Sequence, residues 1–149
     1  MPVPENCDSK NFTVRDYRNS DFENIQALWI PLGLGSRQRG DTAEVIEQTL
    51  KAGGKLLVLE ETLSGKLVGT SWMTVDGRRN YLHHFGIAET YQNKGLGRML
   101  LDASIAFARE KGLQLKIEVH RRNQHAINLY TRNGFKYLGD YDVYIIRDI

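Results

Sequence analysis

The chain has a single cysteine, no long apolar run and almost no excess of charge of either sign, and each shortage removes a class of protein. Cys7 alone cannot close an internal disulfide, which excludes a disulfide-stapled secreted scaffold. No stretch approaches the roughly 20 apolar residues that cross a bilayer. Residues 1–10 show no basic region followed by an apolar run, so the expected setting is a reducing cytoplasm with no membrane partner. A net charge of +2 on 149 residues is too small for the basic footprint of a nucleic-acid binder. Two familiar phosphate loops are missing as well: no G-x-x-x-x-G-K-[ST] occurs, and a G-x-G-x-x-G would need glycine where Leu100 stands. There are no repeats or low-complexity tracts.

What is present is an ordinary soluble composition, 41% apolar and 26% charged. A chain of this size buries about 70% of its unfolded surface, enough for a real core. One domain is expected over residues 12–149, preceded by a loose polar tail, residues 1–11, that carries Cys7 away from any chemistry.

The periodicity predicts an alternation of strands and helices. Residues 12–17 alternate apolar and polar and predict a first strand. Ser20-x-x-Glu23 predicts a capped helix that Pro31 ends, and Asp41-x-x-Glu44 predicts a second that stops at Gly53-Gly54. Three strands follow over 55–61, 66–75 and 80–88, joined by Leu63-Ser64-Gly65 and Asp76-Gly77 turns. A long helix over 95–111, capped by Gly112, buries Leu96, Leu100, Ala103 and Phe107. A strand over 113–120, a helix from the Asn123 cap to about 133, and two strands over 135–138 and 142–147 complete the chain.

Residues 81–101, YLHHFGIAETYQNKGLGRMLL, are the most informative stretch, because an extended apolar run passes through a polar glycine-bearing loop straight into the long helix. In Gln92-Asn93-Lys94-Gly95-Leu96-Gly97 two glycines remove the Cβ atoms that would hold a ligand off the backbone. A helix N-terminus carries roughly half an elementary charge, and Lys94 and Arg98 flank it with full ones. A pyrophosphate is the natural guest, although Gly-x-Gly before a helix also serves as a tight lead into packing.

A second cluster lies downstream: Glu118-Val119-His120-Arg121-Arg122-Asn123, then Ala126, Leu129-Tyr130 and Gly134-Phe135. The pairing of QNKGLG with N-x-x-A-x-x-L-Y-x-x-x-G-F resembles the GCN5-related N-acetyltransferases over nearly the whole chain from Phe12. That resemblance implies an α/β (α+β) fold with a mixed, mostly antiparallel sheet of about seven strands and about four helices. It also implies splayed central strands and acetyl-CoA as cofactor. By the same resemblance Phe85, Gly86, Ile87 and Ala88 supply the strand edge to the pantetheine arm, and a backbone N–H near Ile87 polarises the thioester carbonyl. Asn123 is either a helix cap alone or a cap that also touches the arm, and the resemblance makes Tyr130 the acid for the departing thiolate, its alternative being a core tyrosine packed under the sheet.

The base stays open between three residues. Glu118, in I-E-V-H-x-x-N, is similar to the glutamate of acetyltransferases that modify ribosomal protein N-termini, where burial would raise its pKa into a useful range. It is equally a strand carboxylate paired with Lys116 or an arginine. His83 and His84 compete for the role, and adjacent strand residues face opposite ways unless a bulge intervenes. The four histidines show no ligand spacing for a metal.

The resemblance places the acceptor between the first two strands and at the hairpin after Trp72, which singles out Trp29, Arg37, Arg39, Trp72 and Arg78, with Arg79 beside it. The arginines favour an acceptor bearing a carboxylate or phosphate. Three functions are carried forward: N-acetylation of a small or amino-acid-like amine, N-terminal acetylation of a peptide, and a non-catalytic acyl-CoA-binding module. The alternating VYIIRDI terminus adds the expectation of a strand edge suited to a homodimer.

Overall fold

The computed structural model describes residues 9–149, and the expected tail lies outside the described residues up to position 8, Cys7 included. Ser9–Asn11 form a short 3-10 turn. Five strands then pair in chain order: β1 (Phe12–Asp16), β2 (Lys55–Glu61), β3 (Leu67–Val75), β4 (Arg79–Ile87) and β5 (Gln114–Ile117). The first three pairings are antiparallel and the last, β4 with β5, is parallel. The helices are α1 (Phe22–Trp29), α2 (Ala43–Lys51), α3 (Leu96–Lys111) and α4 (Gln124–Arg132).

The sheet carries apolar residues on both faces because both are covered. Leu56 and Val58 of β2 and Trp72 of β3 join Ile25 and Trp29 of α1 and Ile46 of α2 in one core. Two indole N–H groups are satisfied there, Trp29 Nε1 by Thr70 Oγ1 at 2.8 Å and Trp72 Nε1 by Thr49 Oγ1 at 2.9 Å. On the opposite face Ser71 of β3 meets Ser104 of α3, hydroxyl to hydroxyl at 2.7 Å. Helix α3 buries Leu96, Leu100, Leu101, Ser104, Phe107 and Ala108, a stripe shifted toward Leu101 and Ser104 from the one the periodicity predicts. No described helix is long and apolar enough to cross a membrane.

Arg15 of β1 ties three elements together. Its Nε donates to Glu60 Oε2 at 2.8 Å, and its two terminal nitrogens donate to Asp21 at 2.8 and 3.0 Å. The Arg15 hydrogen bonds, chiefly, and then the Arg18 N–H hold the Asp21 carboxyl below its ordinary value against the opposing effect of burial. A carboxylate whose folded pKa is depressed contributes stability that is present above its unfolded value and is lost as pH falls through the folded one. We predict that Arg15→Met costs about 2–3 kcal/mol near neutral pH, below the cost of breaking a fully buried pair because solvent still reaches these side chains. The loss should shrink below about pH 4. Urea unfolding of both proteins at the two pH values measures it, and an equal loss at both would show that the guanidinium acts by packing alone.

The chain divides into two compact units, one up to Glu118 and one over Val119–Ile149. In the second, Asn123 Oδ1 caps α4 through the Ala126 N–H at 3.2 Å. The Tyr130 and Phe135 rings pack at 5.4 Å, and the Phe135 N–H closes back on the Tyr130 carbonyl at 3.1 Å.

Beyond Gly134 the expectation fails: residues 135–149 contain no strand, so the sheet has five strands rather than about seven. Strand propensity expresses fit to a half-buried pleated surface. Here Tyr137, Tyr144 and Ile146 stay exposed, Tyr144 at 91%, and apolar side chains alone do not make a ladder. The expected dimerising edge loses the strand on which it rests. Strand β5 also stops at Ile117, three residues short of the predicted end.

Candidate active site

The loop after β4 meets α3 as the glycine motif predicts. Gly95 is the N-cap at φ 80°, a left-handed conformation that glycine adopts without penalty, and nothing lies within 4 Å of where its Cβ would stand. No side chain caps the helix, so the first-turn N–H groups and the positive end of the dipole face a ligand or water. Gly97 lies inside that first turn and Leu96 is buried beneath it. Asn93 is exposed and left-handed at φ 62°. Lys94 and Arg98 are both exposed; Lys94 Nζ stands 5.6 Å from the Tyr91 ring, and Arg98 pairs along the helix with Asp102 at 3.0 Å. Gln92 turns inward instead, its Nε2 donating to the Ile87 carbonyl at 2.8 Å, which fastens the loop to the end of β4.

Strand β4 is paired unequally on its two sides. Its parallel ladder with β5 ends at Leu82↔Ile117, whereas its ladder with β3 continues to Gly69↔Ile87. The strands therefore part company at the level of His83 and Glu118, as a splayed pair should. Within the expected edge Phe85–Ala88, the Ala88 N–H is engaged by the Val68 carbonyl at 2.7 Å and the Ile87 carbonyl by Gln92. A register shift between Thr70 and Trp72 leaves His84 and Phe85 opposite Ser71, and His84 takes φ 46°. This is a β-bulge, which breaks the alternation that would have sent the two histidines to opposite faces.

The histidines end in different surroundings. His83 is exposed, with Nε2 2.8 Å from Thr74 Oγ1 and its ring stacked near Tyr81 at 6.1 Å. Partial desolvation, followed by the neighbouring His84, holds its imidazole below the ordinary value, while Glu118 and Asp41 pull upward. His84 lies with its ring edge-on to Trp29 at 4.7 Å and to Trp72 at 5.3 Å, and its Nε2 is 3.0 Å from Asp41 Oδ1. Glu118 is exposed, one residue beyond the end of β5.

In the other unit Tyr130 is buried, and burial pushes its phenol above the ordinary value. The Asn123 cap uses only the side-chain oxygen, which leaves its amide donors for another partner.

The expected acceptor residues divide by depth. Trp29 and Trp72 are 1% and 4% exposed and stack on each other at 6.0 Å as core. Arg37 and Arg39 are exposed on a 3-10 turn, and Arg78 is exposed at the β3–β4 hairpin, where Asp76 Oδ1 accepts its N–H at 2.7 Å. Sequence reasoning missed Asp41. Thr42 caps α2 through the Val45 N–H at 3.2 Å, which frees Asp41 to turn inward, accept the Ser36 N–H at 2.6 Å and face His84. Two cap-competent residues in succession were the available signal, since only one can cap. Among the described residues no three His, Cys, Asp or Glu side chains gather as a metal site.

Known proteins are similar to this chain. A mycothiol acetyltransferase of Propionibacterium freudenreichii subsp. shermanii is 37% identical over 87 residues, 55% of this chain and 27% of the relative. A spermine/spermidine N(1)-acetyltransferase of Bacillus subtilis is 41% identical over 66 residues, 43% of each chain. In both cases the match spans less than half of the relative's length. The crystal structure of the PaiA N-acetyltransferase from Thermoplasma acidophilum in complex with coenzyme A superposes with a TM-score of 0.69 at 19% identity, covering 84% of this chain and 89% of that one. The sequence profile of the Acetyltransferase (GNAT) family matches residues 15–135, and the chain belongs to that family of acyl-transferring enzymes.

Proposed function

We propose that the chain transfers an acetyl group from acetyl-CoA to the primary amine of a small or amino-acid-like acceptor, directly, in a ternary complex. The observation that carries this reading is the open, glycine-capped start of α3 together with the unequal pairing of β4, which ends its β5 ladder at Leu82. These features fit an anionic, amide-bearing ligand: phosphates at the helix start, amides along the freed strand. When bound, acetyl-CoA supplies a thioester whose acyl carbon accepts the amine.

The residues divide the remaining work. The α3 first turn with Lys94 and Arg98 holds phosphate charge, and β4 beyond Leu82, where its β5 ladder ends, orients the arm. His83, kept below the ordinary imidazole value, is neutral at pH 7 and takes the amine proton as the N–C bond forms. Tyr130, raised by burial, keeps its phenolic proton at neutral pH and gives it to sulfur as the C–S bond breaks. Its assignment rests on its place in the N-x-x-A-x-x-L-Y motif. His84 faces Asp41 and two indoles, a setting suited to holding structure.

Relatives named for mycothiol and for spermine and spermidine support a small-molecule acceptor. The exposed Arg37, Arg39 and Arg78 favour a carboxylate or phosphate on it over a polycation. A peptide acceptor leans on Glu118, whose exposure leaves it without the burial that reading requires.

The test is thiol release from acetyl-CoA with a panel of small amines and amino acids, between about pH 5 and 9. Release with at least one amine is expected. Because the base must be neutral, kcat/KM should fall as pH drops through a value below about 6.5, and His83→Gln should remove that limb. No release with any amine would sink the activity; an unchanged limb in His83→Gln would place the base elsewhere.

A further inference from the structure

The loop between α1 and α2 is built to sit in one place. Leu32 and Leu34 donate their N–H groups to the Trp29 carbonyl at 3.1 and 3.0 Å, so the loop folds back at once over the end of α1. Further on, Ser36 and Asp41 close it into a ring: Ser36 N–H to Asp41 Oδ2 at 2.6 Å, and Asp41 N–H to the Ser36 carbonyl at 3.1 Å. This ring rests on the β4 bulge. A Cβ added at Gly86 would lie 2.8 Å from Leu34 Cδ1 and 3.1 Å from Leu32 Cδ1, and one at Gly35 would lie 2.6 Å from the Trp29 ring. The leucines of the loop therefore lie directly against β4 at Gly86.

The bulge is held just as firmly. Thr70 Oγ1 accepts the Trp29 indole N–H and donates to the His84 carbonyl at 2.7 Å, satisfying the backbone group that the left-handed His84 turns out of register. The His84 ring lies edge-on to both Trp29 and Trp72, and its buried Nε2 looks at Asp41 Oδ1 across 3.0 Å, an ion-pair distance without hydrogen-bond alignment. Asp41 is itself buried. One carboxylate therefore closes the loop with one oxygen and faces the strand with the other.

We infer that Asp41 and His84 form a positioning pair that fixes the acceptor loop, residues 32–41, on the acyl-binding strand at residues 84–86. Neither group touches the reacting atoms. The inference rests on the function proposed above, which makes this loop the acceptor side and this strand the donor side. Its chemistry is that of registration: the amine must reach the acyl carbon along one line, and a misplacement of about 1 Å costs on the order of a hundredfold in rate.

The test is Asp41→Asn, which keeps an oxygen for the Ser36 N–H and removes the charge facing His84. His84→Asn serves as the second variant, because asparagine tolerates the left-handed conformation while its amide is too short to reach Asp41. Two readouts are taken. In the ligand-free protein, amide hydrogen exchange over 33–41 should quicken by tenfold or more in either variant while exchange in α3 stays unchanged. With the amine that gives the fastest thiol release, kcat/KM should fall about tenfold or more with kcat sharing the loss, and acetyl-CoA affinity by calorimetry should stay within about twofold. Unchanged exchange in both folded variants overturns the pair as an anchor, even where the unmodified protein turns over. Quickened exchange with unchanged amine kinetics overturns its part in the reaction. A protein that releases thiol with no amine removes the proposed function and with it the acceptor half of this inference, whereas the exchange result still decides the anchor.

Discussion

Tyr130→Phe is expected to lose about a hundredfold or more in turnover at saturating substrates while binding acetyl-CoA as tightly as the unmodified protein. The substitution removes one oxygen and leaves the ring, so the packing of Tyr130 against Phe135 within its unit survives. What disappears is a proton. A thiolate leaving into a site from which water is displaced needs an acid that is still protonated at neutral pH, and burial keeps this phenol so. Steady-state kinetics with calorimetry in parallel separates the alternatives: a fall in kcat at constant affinity assigns the acid, whereas unchanged turnover makes Tyr130 a packing residue.

Gly97→Glu is expected to weaken acetyl-CoA binding by about tenfold to a hundredfold without unfolding the chain. A carboxylate about 5 Å from a phosphate is worth roughly 3 kcal/mol of repulsion at an effective dielectric near 20. Salt reduces this at an exposed helix start, hence the range. Glutamate is a good helix former and an anion is welcome at a helix N-terminus, so α3 itself should be slightly stabilised. That opposition makes the variant informative: thermal stability and ligand affinity should move in opposite directions. A protein of unchanged affinity would mean that phosphates do not dock at this turn.

Much of this was legible in the sequence where local chemistry decides. The hairpin strands over 55–61, 67–75 and 79–87 follow from largely apolar runs between glycine turns, and the Gly95 and Gly112 ends of α3 follow from residues that enter left-handed φ freely. The helix-start motif and the Asn123 cap were equally local. Long-range choices were hidden. Whether residues 135–149 make strands depends on a ladder partner that propensity does not supply. The bulge at His84 depends on Thr70 and Trp29, far away in sequence, and Asp41 turned inward only because Thr42 took the cap. The exposure of Glu118 follows from the early end of β5, a boundary that periodicity sets poorly.

Calorimetric titration of the unmodified protein with acetyl-CoA, with CoA and ATP in parallel, decides most directly whether the α3 start and the freed edge of β4 take a CoA thioester. Micromolar binding of both CoA species with much weaker binding of ATP is the predicted result. Binding of neither CoA species to a folded protein would contradict it, leaving a member of the acetyltransferase family whose helix start serves packing alone.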